Sequence, residues 1–116
     1  MALLAVIFVS CASYDPATER SATPHDDTAI GRAFASGAKD VQVEGEGTVI
    51  QILPDDVDGS RYQRFIVQLA SGQTLLITHN IDIAPRITGL QVGDSVSFNG
   101  EYVWNEKGGV IHLDAP

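Results

Sequence analysis

The residues best placed to do chemistry are His79, Asn80 and Asp82, gathered in the string His79-Asn80-Ile81-Asp82. An imidazole, an amide and a carboxylate this close, at a strand end, can bind a metal ion or position a water. His112, at the end of the last apolar run, is a candidate to join them. A simpler structural reading competes. Asn80 and Asp82 would cap the turn that follows, and His79 would hydrogen-bond a loop carbonyl. The simpler reading is favoured, because a metal site needs three convergent ligands and only His79 and His112 fall among the strands. No metal, cofactor or catalytic residue is assigned.

Two further clusters carry charge. Asp55, Asp56 and Asp58, followed by Gly59, invite a calcium reading. An EF-hand loop would open on an acidic ligand and close on a glutamate at its twelfth position. Pro54 stands at the first of these positions and Phe65 at the last, so the aspartates read as an acidic turn. Arg61, Tyr62 and Arg64 form the one local cluster of bases with an aromatic. A platform for single-stranded nucleic acid needs several exposed aromatics in a basic groove. Phe65, Phe98, Tyr102 and Trp104 instead share the inward parity and read as core. Arg64 also has a plain structural role open to it, pairing with Asp55 or Asp56. No nucleophile motif, phosphate loop or transmembrane pattern appears.

The elements that must position these groups are mostly strands. Asp27 or Thr28 can cap a short helix through Ser36, with Ile30, Ala33 and Phe34 on one stripe and Gly37 as its stop. From Val41 the period switches to two. Val41, Val43 and Val49 share a face with Gly45 and Gly47, and two glycines on one face point to a sharp bend or a close backbone approach. Pro54 to Ser60 reads as a turn, and Phe65, Val67 and Leu69 as the inner face of a second strand. Leu75, Ile77 and His79 continue that face on a third. The segment 80–88, with Pro85 inside it, breaks the alternation and predicts a short helix or loop. Val96, Phe98, Gly100, Tyr102 and Trp104 alternate on a fourth strand. Asn105 to Gly109 is a hairpin turn, and Val110 to Leu113 the last strand. Three meandering strands, a link and a two-strand hairpin predict a mainly β domain, a small five-stranded OB-fold-like barrel behind a short helix.

Composition bounds the rest. The chain has 116 residues, enough for one small domain. Its 44% hydrophobic content excludes wholesale disorder. One cysteine excludes an internal disulfide and a thiolate zinc cluster. Seven bases stand against 15 acids, a net charge of −8, and nucleic acid is a poor partner for such a field. Residues 1–11 look like an export signal. Ala2 to Val9 is an apolar run too short to span a bilayer, and Val9-Ser10-Cys11 is similar to a lipobox, making Cys11 the candidate lipidation site. Phe8 stands where such a motif usually has leucine, and no base precedes the apolar run. Residues 12–27, polar with two prolines, read as a flexible tether reaching roughly 20 Å. The folded domain is then 28–116.

The run from Val43 to His112 resembles a bacterial and phage family catalogued as domain of unknown function 3465. The likeness rests on Gly45-Glu46-Gly47, Leu53-Pro54-Asp55-Asp56, Gln63-Arg64-Phe65 and Gly72-Gln73-Thr74-Leu75-Leu76-Ile77. It continues through His79-Asn80-Ile81-Asp82, Ala84-Pro85-Arg86, Gly100-Glu101-Tyr102, Trp104-Asn105 and Gly108-Gly109-Val110-Ile111-His112. The resemblance implies an exported β domain and no established activity. It also implies a histidine- and aspartate-rich tail, where this sequence reads Leu113-Asp114-Ala115-Pro116.

Two functional expectations follow. The first is a monomeric binding module of the cell envelope or periplasm, recognising a protein, peptide or glycan through Arg61, Arg64, His79, Asn80 and Asp82. The alternative is a metal-assisted hydrolase or nuclease, or a nucleic-acid-binding OB domain. The hydrolase would need His79, Asp82 and a third ligand around one ion.

Overall fold

The computed structural model describes residues 27–114. The signal-like segment 1–11 with Cys11, and the tether up to residue 26, lie outside the described residues.

Helix α1 spans Asp27–Ser36 and buries Ile30 and Ala33. Gly37 ends it at φ 68°. Gly37 N donates to Phe34 O at 3.2 Å and Ala38 N to Ala33 O at 2.9 Å, the paired bonds of a Schellman stop. Strand β1 (Lys39–Asp56) follows at once, then β2 (Tyr62–Leu69), β3 (Thr74–Asn80), β4 (Ser95–Val103) and β5 (Val110–Leu113).

The long β1 serves two neighbours. Residues 39–48 pair with β4, and residues 47–56 pair with β2. The strand must bend where it changes partner, and the glycines sit there. A Cβ on Gly45 would lie 2.7 Å from Phe98 Cζ and 2.9 Å from Ile30 Cδ1, so only hydrogen fits between the ring wall and the helix. The strands close in the order β1-β2-β3-β5-β4 and back to β1. All pairs are antiparallel except β3 with β5, where Ile77 lies beside Ile111 and Thr78 beside His112. This is the OB-fold order that the alternation predicts. Val49, Phe65, Val67, Leu75, Ile77, Tyr102 and Ile111 fill the interior, and Ile30 closes one end.

Two local expectations change. Strand β1 runs on through Asp56, and Pro54, which has no N–H to give a ladder, falls in a register irregularity between Leu53 and Asp56. Val41 and Trp104 have inward parity yet are each 40% exposed. A bulge at Asp40, which has φ 58°, displaces the start of β1, and β4 ends at Val103. Trp104 therefore leaves the interior and stacks on Phe34 with ring centroids 6.3 Å apart. The segment 81–88 is a loop without a helix. Gln63 holds it, exchanging two 2.9 Å hydrogen bonds with the backbone of Ile87.

Candidate functional site

The string His79-Asn80-Ile81-Asp82 splits between inside and outside. His79 continues the inward face of β3 after Ile77 and is buried, with Nε2 2.7 Å from Pro85 O. Asn80 Oδ1 accepts a bond from Asp82 N at 2.9 Å, closing the turn after β3. Asp82 faces solvent and takes both its bonds from Arg61: Nε to Oδ1 at 2.8 Å and the backbone N to Oδ2 at 2.9 Å. The backbone bond, then the guanidinium, hold the Asp82 carboxyl below its ordinary pKa. Ile81 N also donates to Arg61 O, so the β1–β2 and β3–β4 loops are tied together. His79 and Asp82 are each committed elsewhere. Among the described residues, no group of three His, Cys, Asp or Glu side chains converges to hold a metal. In the acidic turn, Asp55 pairs with Arg86, and Asp56 Oδ1 accepts from Asp58 N at 3.0 Å.

Arg64 stands apart from this network, on the outer face of β2. There β2 and β3 carry apolar residues where a solvated strand would be polar. Ile66 and Leu76 lie opposite one another and, with Leu53 of β1, line a cavity of about 350 Å³. Arg64, Thr74, Asn105 and Lys107 make its polar rim. A second cavity of about 190 Å³ adjoins it, lined by Asp56, Tyr62, Arg64, Thr78 and His112. Arg64 belongs to both, so they form one groove over the outer face of β2 and β3, flanked by the β4–β5 loop. OB-folds bind their ligands on this face.

The groove is built rigidly. Arg64 Nε donates to Pro54 O at 3.1 Å, and its two Nη groups have no hydrogen-bond partner among the described residues. Lys107 rides on a loop braced through several of its backbone groups. Asn105 Oδ1 accepts from Lys107 N and Gly109 N, both at 2.9 Å. Lys107 O accepts from Thr74 Oγ1, and Gly108 O from Gln73 Nε2 and Tyr102 Oη. At the other end Thr78 Oγ1 lies 2.9 Å from His112 Nδ1.

The comparison with known families covers nearly the whole sequence. A family described as protein of unknown function, DUF3465, matches residues 8–115. The chain belongs to the DUF3465 family. No curated protein matches it.

In this DUF3465 chain the charges are divided unevenly. Of the six bases among the described residues, Arg61 and Arg86 are spent in ion pairs. Arg64 and Lys107 share the larger groove cavity, whose lining holds no carboxylate. Two cations with no acid between them are notable in a chain of net charge −8. A wider concavity of about 560 Å³ lies between α1 and the β2–β3 turn; it is shallow, and its lining sets Asp27 and Arg32 among the small residues Gly31, Ala35 and Ser71.

Of the residues singled out in the sequence, Asp56, Tyr62, Arg64 and His112 reach the groove. Arg61, Asn80 and Asp82 brace the loops at its end, and His79 lies within the ring. Lys107, Leu53, Ile66 and Leu76 were missed. Their signal was present: Ile66 and Leu76 are apolar at the outward parity of their strands.

Proposed function

We propose that this DUF3465 chain is an exported binding module that takes a protein, peptide or glycan of the cell envelope in the groove over β2 and β3. One observation carries the reading: a preformed, aliphatic-floored groove on the OB-fold ligand face, with Arg64 anchored at its rim and Lys107 on a braced loop beside it. A strand floor and an anchored Arg64 lose little freedom on binding, which favours recognition. The groove offers cations, an amide and apolar contact, the groups that orient a ligand. The net charge of −8 repels a phosphate backbone, so nucleic acid is disfavoured. Export is supported by the apolar run Ala2 to Val9 and the Val9-Ser10-Cys11 string, which would place the domain at a membrane surface through a lipid on Cys11.

The test is to probe the full chain and its Arg64→Ala variant against arrays of peptides and envelope glycans, with circular dichroism to show an unchanged fold. Ligands lost from the variant support the reading. Ligands that bind both proteins equally, or none at all, overturn it.

A further inference from the structure

We infer, resting on that reading, that the groove takes an extended peptide of the pattern acidic-x-aliphatic-x-acidic. The argument starts from the period of β3. Thr74, Leu76 and Thr78 face outward, each about 6.6 Å from the next at a strand rise of about 3.3 Å per residue. Lys107 stands at the Thr74 end, where Thr74 Oγ1 donates to Lys107 O at 2.9 Å. Arg64, whose backbone pairs with Thr78 across the β2–β3 ladder, stands at that end with its Nε on Pro54 O of β1 and Asp56 beside it in the smaller cavity. Leu76 lies between them and opposite Ile66.

An extended peptide laid along β3 has the same two-residue period. Side chains at its first, third and fifth positions therefore fall over one cation, the Leu76 and Ile66 floor, and the other cation. Carboxylates satisfy both ends, and a branched aliphatic residue satisfies the middle. The first of the cations is oriented for this, since Arg64 presents its Nη edge while Nε stays on Pro54 O.

The observations separate this ligand from two others. A single-stranded nucleic acid brings a phosphate at every nucleotide into the field of a −8 chain, whereas this peptide brings two charges to a groove that sets Arg64 and Lys107 against Asp56 alone. A neutral polysaccharide offers no carboxylate to Arg64 or Lys107.

The experiment titrates the full chain, labelled for amide nuclear magnetic resonance, with a peptide centred on Glu-Ala-Leu-Ala-Glu. Controls carry Lys-Ala-Leu-Ala-Lys, Glu-Ala-Ser-Ala-Glu, a uronic acid oligosaccharide and oligothymidylate. The acidic-aliphatic peptide is expected to move the amides of Ile66, Leu76 and Lys107. Arg64→Ala and Lys107→Ala should each weaken it by about tenfold or more. Lys107→Glu should recover binding when one end of the peptide is changed to lysine. If the oligosaccharide or oligothymidylate moves those amides and the peptide does not, the peptide inference fails; the oligosaccharide result leaves the binding-module reading standing. If no probe moves them, both fail. A peptide that shifts amides elsewhere, or that binds regardless of its two glutamates, also overturns the inference.

Discussion

Gln63 and His79 face one another across the β2–β3 ladder, and both turn inward to grip the same loop. Gln63 exchanges two bonds with Ile87, and His79 reaches Pro85 O two residues earlier. A polar pair at the mouth of an apolar ring thus fixes a segment that has neither helix nor strand to hold it. The unused chemistry of the His79-Asn80-Ile81-Asp82 string is absorbed by this work.

His79→Ala should therefore act on stability. It leaves the Pro85 carbonyl without its donor and opens a small void, at a cost of about 2 kcal/mol. Thermal melting checks the cost, and hydrogen exchange should localise the loosening to residues 84–88. Binding at the groove should persist. A variant with wild-type melting and no binding would return His79 to the ligand site.

Gly45→Ala should destabilise by about 1–3 kcal/mol, because the new methyl meets Phe98 and Ile30 together. Ile30→Val removes the Cδ1 atom that lies 2.9 Å from the added carbon. The double variant should thus lose less than the sum of the two single ones, measured by urea denaturation. Additive losses would show that the helix does not limit that position.

Tyr102 is fully buried and donates to Gly108 O at 2.8 Å. Burial raises its phenol pKa above the ordinary 10.0. Its contribution to stability is thus complete below pH 10 and lost as pH rises toward the folded value. Tyr102→Phe should cost about 1 kcal/mol at neutral pH and flatten that alkaline loss. It should also loosen the loop that carries Lys107, visible as faster exchange at residues 105–109.

The Arg61–Asp82 tie has the opposite sign. Its two bonds favour the ionised carboxylate, so the folded pKa lies below the ordinary 3.8. The tie is complete above that value and is lost as pH falls through the folded one. The Arg61 amide resonance should follow this titration, and Asp82→Asn should abolish it while leaving the melting temperature close to wild type.

The strands were legible because alternation is a local property. Phe65-Val67-Leu69 and Leu75-Ile77-His79 read inward from sequence and are inward in the structure. Gly37 marked the helix end because the residue that stops the helix takes a positive φ. Trp104 was misplaced because parity says nothing about where a strand stops. Arg64 was matched to Asp55 or Asp56 by proximity in the chain, but Asp55 pairs with Arg86, 31 residues away.

What the sequence by itself determined is the list of elements, their inward faces, the OB-fold order and the membership of a family. The first three follow from periods of two and 3.6 and from turn residues, all readable within a few positions, and the family from its motif strings. Only the tertiary structure decided which charges are spent and which remain. Arg61 meets Asp82 across 21 residues, while Arg64 and Lys107 come to one groove from separate hairpins. Such pairings depend on the register of strands far apart in the chain, and register is settled when the ring closes around its core.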